Sequence, residues 1–285
     1  MNTSDLIHAK FQAWALRHRI PLQGSKGDQG MKSYTMSFEA NLFGDKLADE
    51  VRKAFLAGAG GELTGEICRL QAMHSSAAMT VNVFQYWLDN KDLSLLAKLL
   101  SIPSTNIERL SFEKQLPVCA DPKTQGFERS PHLDVCLEYL RGARVGVECK
   151  LHEPFRREND DLLSNAYLKL SEPWNDIPKW KDLARKLTKS NLGFKRLGPS
   201  QLAKHVLGLK FGRRAQDVRL IYFYFDGPGR ESGEHLDEIV RFSEIVEGDP
   251  IRFQPISIQE FIAKAFRILG ESHIEYVRYL SDRYF

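Results

Sequence analysis

The chain has 285 residues, of which 42% are hydrophobic and 27% charged, and a formal net charge of +3. These values allow a sizeable core, which excludes a disordered chain and suits one large α/β domain or one domain with a helical extension. No stretch reaches the roughly 18 apolar residues of a membrane span, and the amphipathic N-terminal 20 residues lack a secretory signal, so we expect a cytoplasmic protein without a membrane partner.

The first third of the chain is predicted to be mainly helical. Amphipathic spacing predicts helices over Ser4–Arg19, Lys46–Leu56, Glu62–Trp87 and Leu93–Leu100. Residues 102–130 contain three prolines and are expected to be irregular. We expect residues 1–105 to form a helical N-terminal region packed on a core of residues 106–285, the two together being one structural unit.

Two segments, Leu133–Leu140 and Arg144–Leu151, alternate apolar and polar residues and predict a β-hairpin that turns at Gly142. A turn centred on Gly142 sets Asp134 opposite Lys150 and Cys136 opposite Glu148, with these four side chains on one face of the hairpin. The opposite face is apolar and includes Cys149. Gly146 is expected to leave space beside the charged groups for a ligand. Two carboxylates and an ammonium together suit metal-dependent cleavage of phosphodiesters.

Alternating elements follow the hairpin. Helices are predicted over Asp160–Leu170, Lys179–Lys189, Ser200–Phe211, Glu234–Val246, Ser257–Leu269 and Ser272–Arg283, and strands over Val218–Phe225 and Ile251–Ile256. The first of these strands is apolar on both faces, which is typical of a central strand.

A strongly basic segment runs from Ile177 to Arg214, with eleven basic residues and one acid, Asp182. Trp174 and Trp180 flank its start and would either stack on bases or pack in the core. Such a run can be a solvated helix face alone, but behind a phosphodiesterase-like site it predicts contacts with a nucleic-acid backbone. The candidate binding residues are Lys179, Lys181, Arg185, Lys186, Lys189, Lys195, Arg196 and Lys204.

Residues Pro131–Asp134 and Glu148–Lys150 resemble the two halves of the motif of the PD-(D/E)xK nuclease superfamily, with two residues between the proline and the acid where that motif usually has none. Residues 74–77 and Asn82 are also loosely similar to a segment of uncharacterised bacterial restriction endonucleases. The resemblance implies a restriction-endonuclease-like mixed central sheet flanked by helices, here with an N-terminal helical extension. It also implies a Mg²⁺-dependent DNA endonuclease, with Mn²⁺ as a substitute, acting in restriction or defence against foreign DNA.

The same resemblance assigns roles to individual residues. Asp134, Glu148 and the carbonyl of Cys149 would bind the metal. Lys150 would position or activate the attacking water, or stabilise the developing negative charge. Gln201, in a helix after the hairpin, would position DNA or the catalytic groups together with Lys204, unless this is a solvated first turn of the helix.

Members of the superfamily often supply one more acid from a helix before the hairpin. Glu66 is the leading candidate for this acid because it lies within the predicted helix Glu62–Trp87. Glu62, Glu113 and Glu128 compete with it.

Several alternatives remain open from the sequence. The chain could be a non-catalytic nucleic-acid-binding or interaction protein with a nuclease fold, or a nuclease acting on RNA or small phosphoesters. His132 and Asp134 could instead form the metal pair of another type of hydrolase. No phosphate-binding loop is present, so no ATP is expected; a homodimer is plausible because cutting both strands requires two active sites.

Overall fold

The structure is a computed structural model that describes residues 2–24, 32–58, 61–121, 127, 130–170 and 172–285. The strands are β1 (Leu22–Gly24), β2 (Lys32–Thr35), β3 (Ile107–Gln115), β4 (His132–Tyr139), β5 (Arg144–Lys150), β6 (Val218–Tyr224) and β7 (Arg252–Ser257). The helices are α1 (Thr3–Arg17), α2 (Asp49–Ala57), α3 (Ser76–Asn90), α4 (Leu93–Leu99), α5 (Glu153–Arg156), α6 (Pro178–Leu187), α7 (Pro199–Lys210), α8 (Arg230–Val246), α9 (Ile258–Ile268) and α10 (Ile274–Tyr284). Among the described residues, no helix is both long and apolar enough to cross a membrane.

The central sheet has five strands in the order β3-β4-β5-β6-β7. The first two pairs are antiparallel and the last two are parallel, so the sheet is mixed. Strand β6 has buried residues on both faces, Ile221 on one and Leu220 on the other, because helices cover both sides of the sheet. The predicted α/β class and the central position of this strand are confirmed.

Each face of the sheet carries its own apolar core. Residues of α1, α3, α4, α9 and α10 pack on one face, and residues of α6, α7 and α8 pack on the other. Trp174 and Trp180 are both buried in the second core, so they pack inside the protein and do not offer surfaces for stacking bases.

The hairpin forms as predicted, but its register differs by two residues. Val135 pairs with Val147 and Glu138 with Arg144, so the turn is centred on Arg141 and not on Gly142. Gly142 is the last loop residue and has a φ of 80°, a left-handed conformation that closes a three-residue turn. Because a shift of two residues leaves the alternation intact, Val135, Leu137 and Val147 stay together on the predicted apolar face, in the first core.

Three other predicted elements are wrong. Residues 62–75 are not helical beyond a short 3-10 turn at Arg69–Gln71, and α3 begins only at Ser76. Gly61 and Gly65 have φ values of 70° and 96°, which turn the chain where the apolar spacing predicts a helix. Residues 102–130, expected to be irregular, contain strand β3, which none of their prolines interrupts. The predicted helix Asp160–Leu170 is only a short 3-10 helix, Asn165–Lys169.

Candidate active site

A cleft of about 420 Å³ opens at one end of the hairpin. Adjacent strands β3, β4 and β5 supply its floor, and the segment before α3 and the first turns of α3 and α7 supply part of its wall. Its lining residues are mainly charged or polar: Glu62, Arg69, Ser75, Ser76, Ala77, Glu113, His132, Asp134, Glu148, Cys149, Lys150, Glu153 and Gln201.

The three residues of the predicted site meet in this cleft. Lys150 Nζ lies 2.7 Å from Glu148 Oε1. Asp134 Oδ2 accepts a hydrogen bond of 2.6 Å from the backbone N–H of Cys149, which ties β4 to β5 between the two charged residues. The thiol side of Cys149 is buried in the core behind the sheet, so only its backbone is suited to a role in the cleft.

His205 of α7 is a site residue that the sequence interpretation missed. Its Nε2 lies 2.9 Å from Glu148 Oε2, and both side chains are buried. Helix α7 reaches this position because Gly146 lets it pack closely on β5: a Cβ atom there would lie 2.6 Å from Leu133 Cδ1 and 2.7 Å from Leu209 Cδ1. The space beside Gly146 is therefore filled by the protein, and the prediction that it admits a ligand is wrong.

Three further acids line the cleft: Glu113, Glu62 and Glu153, the last of which is held by the Ser76 hydroxyl. Glu113 and Glu62 are competing candidates from the sequence, and neither is the leading one. Glu113 lies on β3 between the pairs Phe112–Val135 and Lys114–Leu133, which places it opposite Asp134. Its φ of 46° is unusual for a residue other than glycine and costs on the order of 1 kcal/mol, a strain that is common at functional sites.

Glu66 lies elsewhere, in an exposed turn, and does not line the cleft. The helix that was expected to present it is absent from residues 62–75, as described above. The remaining candidate, Glu128, lies outside the described residues.

The electrostatics of the cleft are dominated by buried carboxylates. Burial and the neighbouring charge of Glu148 raise the pKa of Asp134 well above its ordinary value. Burial, with the charges of Glu62 and Glu148, raises the pKa of Glu113 to about 8. Burial opposes ionisation of Glu148 as well, but Lys150 and His205 outweigh it and hold its pKa below the ordinary value.

This set of side chains fits a hard divalent cation. Five carboxylates line the cleft together with two cations, Arg69 and Lys150, which leaves an excess of acidic oxygen atoms in a partly desolvated cleft. Glu62 Oε2 is buried and has no hydrogen-bond partner among the described residues, as expected for an atom that awaits a ligand. Asp134, Glu148, the Cys149 carbonyl and the third acid, Glu113 or Glu62, are the groups that would hold such an ion.

The start of α3 supports the wall of the cleft. Ser75 caps this helix by accepting a hydrogen bond from the Ala78 N–H. The Ser76 hydroxyl accepts from the Leu151 N–H at 2.9 Å and donates to the Glu153 carboxylate. These serines therefore have structural partners that join α3 to the end of β5.

The predicted DNA-binding residues lie in different surroundings. Five of them are exposed on α6 or just after it, and the opposite face of this helix is buried: Lys179, Lys181, Arg185, Lys186 and Lys189. Lys195 pairs with Glu158 at 3.2 Å and Arg196 with Glu234 at 3.1 Å, so acids neutralise part of the basic segment. Lys204 Nζ lies 5.8 Å from the centre of the Tyr167 ring, and Gln201 is exposed at the cleft.

Comparison with known proteins identifies the family of the chain. A search of curated proteins and a search of solved structures found no match. The model of one family, described as "Restriction Endonuclease associating with ARP", matches residues 6–285. This match includes both halves of the cleft and nearly the whole chain, so the protein belongs to this restriction-endonuclease family.

Proposed function

We propose that this protein is a metal-dependent endonuclease that hydrolyses phosphodiester bonds of DNA. The observation that carries the proposal is the cleft itself, where Asp134, Glu148 and Glu113 from three adjacent strands line one surface with Lys150. Membership of a restriction-endonuclease family supports the same reaction and suggests a role in restriction or defence against foreign DNA. Mg²⁺ is the proposed cofactor, with Mn²⁺ as a substitute, because both favour carboxylate and carbonyl oxygens.

When bound, the metal would polarise the phosphate and activate a water molecule. The hydrogen bond from the Cys149 N–H fixes the Asp134 carboxylate, while Lys150 and His205 hold the two oxygens of Glu148. The protein thus orders its acidic groups before substrate arrives, which lowers the reorganisation needed for the reaction.

Lys150 is better suited to stabilise negative charge than to accept a proton. Burial disfavours its charged form, but Glu148, Glu153 and Asp134 outweigh burial and raise its pKa. A lysine that stays protonated stabilises the phosphate as negative charge develops in the transition state.

The test is a cleavage assay with plasmid DNA, linear DNA and RNA, each with Mg²⁺, with Mn²⁺ and with EDTA. We expect DNA cleavage that requires the metal and falls by about two orders of magnitude or more in Asp134→Asn and in Lys150→Ala. Glu244→Gln, on an exposed position of α8, is the matched control and should cut at the wild-type rate.

Four outcomes would contradict the proposal. Intact substrates with both metals would refute cleavage, and wild-type activity in both site variants would refute the site. Cleavage of RNA alone would assign a ribonuclease. Tight DNA binding without any cleavage would instead favour a non-catalytic nucleic-acid-binding protein. The size of the active particle, measured by sedimentation on DNA, tests the homodimer that two-strand cleavage makes plausible.

A further inference from the structure

Three histidines from separate segments converge just outside the acidic cleft. His8 belongs to α1, His74 precedes the N-cap of α3, and His152 follows β5. One ring nitrogen from each lies within 4.8 Å of the other two. None of the three lines the cleft, so this is a distinct cluster with different donor chemistry.

The rings are arranged around a common centre. Their centroids lie 4.2, 4.9 and 4.7 Å apart, and their planes are inclined at 53°, 87° and 71° to one another. Rings stacked face to face would direct their nitrogens apart, whereas inclined rings can direct them towards one point. Two nitrogens bound to one tetrahedral Zn²⁺ lie about 3.4 Å apart, so closing the cluster requires shifts of about 1 Å, which side-chain rotation supplies.

The chemistry of the cluster also suits a transition metal. Imidazole nitrogen favours ions such as Zn²⁺, whereas the oxygens of the cleft favour Mg²⁺. Burial and the neighbouring His8 and His152 lower the pKa of His74 to about 2, which keeps it in the neutral form that binds metals. His8 and His74 are only partly buried, so an ion can reach them from solvent.

The three side chains are held before any ion binds. The Ser4 hydroxyl lies 2.6 Å from Nε2 of His152 and fixes that ring in place. His74 packs edge to face against Tyr34, with ring centroids 5.9 Å apart. Its Nδ1 is buried and has no hydrogen-bond partner among the described residues.

We propose that His8, His74 and His152 form a second metal site, which binds one zinc-like transition ion through three imidazole nitrogens and leaves its fourth position to water. The ion would join α1 to the segment before α3 and to the end of β5. His152 is two residues from Lys150, and His74 is two residues from Ser76, which contacts Leu151. Binding would therefore stiffen the wall of the cleft without supplying a group to it.

The test is a calorimetric titration of the untagged, metal-free chain with Zn²⁺ in excess Mg²⁺. Asp134→Asn/Glu148→Gln removes carboxylates of the cleft, so binding that persists in this variant does not depend on them. We expect one Zn²⁺ per chain in both proteins and a higher Tm with zinc. His8→Gln and His74→Gln should each weaken binding by about tenfold or more, because each removes one of three protein ligands.

His18→Gln is the control, since His18 is an exposed histidine just after α1 that pairs with Asp282. It should bind Zn²⁺ like the wild type. Circular dichroism of the metal-free variants shows whether they fold, and whichever of His8→Gln and His74→Gln folds remains informative if the other does not. Co²⁺ absorption provides a second readout, because nitrogen ligation in a tetrahedral site gives strong visible bands.

The proposal is overturned if the wild type binds no Zn²⁺ stoichiometrically, or if folded His8→Gln and His74→Gln bind it as tightly as His18→Gln. Loss of zinc binding in Asp134→Asn/Glu148→Gln alone would assign the ion to the cleft instead. None of these results depends on nuclease activity, so the zinc site and the proposed function can fail separately.

Discussion

Glu148 is the residue on which the candidate site depends most directly. Its buried carboxylate is held at one oxygen by Lys150 and at the other by His205. A carboxylate fixed from two sides presents one defined geometry to a metal, which is how residues behind a metal ligand influence affinity. His205 is thus a positioning residue for the proposed reaction.

Replacing His205 tests this positioning. We expect His205→Gln to weaken Mg²⁺ binding and to lower the cleavage rate, each by about 10- to 100-fold, because Glu148 loses one of its two partners. Saturating Mg²⁺ should restore part of the rate, which a variant with a collapsed fold would not show. Calorimetry and a metal-dependent rate curve measure both effects. His273→Gln is the control, because His273 lies just before α10 and does not line the cleft. Equal metal affinity in the two variants would contradict the role.

The raised pKa of Glu113 leads to a prediction about pH. Burial and the charges of Glu62 and Glu148 place this pKa at about 8, so below that pH a bound metal must displace a proton. Metal affinity should therefore rise with pH and level off above about pH 8. Burial also raises the pKa of Asp134, which adds to the same trend.

Mn²⁺ titrations across this pH range measure the dependence. In Glu113→Gln the group no longer titrates, so the curve should become flatter and overall affinity should fall. If Glu113→Gln reproduces the wild-type dependence, Glu113 is not coupled to the metal and Glu62 is the remaining candidate for the third acid.

Prediction of the site residues from the sequence succeeds where one local pattern determines their position. Asp134, Glu148 and Lys150 come from the two strands of one hairpin, so a local pattern is enough to bring them together. Glu113 and His205 arrive from other elements, whose docking depends on packing between distant parts of the chain. A signal for His205 existed: it follows Gln201 by four residues and so shares its helix face.

At the scale of elements, the contact between α7 and β5 determines whether the site forms. Gly146→Ala adds a Cβ atom 2.6 Å from Leu133 Cδ1 and 2.7 Å from Leu209 Cδ1, so buried side chains must move. We expect a loss of about 1 to 3 kcal/mol in the free energy of unfolding. Because α7 carries His205, the displacement should also lower the cleavage rate.

Chemical denaturation and the cleavage assay check this prediction. Gly233→Ala is the matched control, since no atom lies within 4 Å of its Cβ position on the exposed face of α8. It should leave activity unchanged and stabilise the protein by about 0.5 to 1 kcal/mol, because alanine favours a helix interior. A Gly146→Ala protein as stable and active as the wild type would show that the close contact is unimportant.

The wrongly predicted elements share a physical cause. Apolar spacing predicts a helix through residues 62–75, but Gly61 and Gly65 adopt conformations that turn the chain. Strand β3 was not predicted because the prolines around it suggest an irregular segment. The predicted hairpin register is wrong by two residues, a shift that preserves the alternation of faces. The alternation alone therefore does not distinguish the two pairings, and tertiary contacts decide which one forms.

At the scale of the whole molecule, folding brings acidic residues of other elements close to the basic segment. Residues of α8 approach it: Glu234 pairs with Arg196, and Glu238 accepts hydrogen bonds from the backbone N–H groups of Lys195 and Leu197. The sequence shows the basic run but not these long-range acids. Within α6, Asp182 also pairs with Arg185 and Lys186. Lys181 and Lys189, which are exposed on α6 and just after it, therefore remain the stronger candidates for contacting DNA.

The salt dependence of DNA binding tests this division of the basic segment. In EDTA, which keeps the DNA intact, Lys181→Gln/Lys189→Gln should reduce the slope of log affinity against log salt by about 2, one for each lost phosphate contact. Lys195→Gln should change it less, because Glu158 already lies 3.2 Å from its Nζ. Arg267→Gln, exposed on α9 across the sheet, is the control. A slope that responds to Arg267 and not to Lys181 and Lys189 would place DNA on the opposite face of the protein.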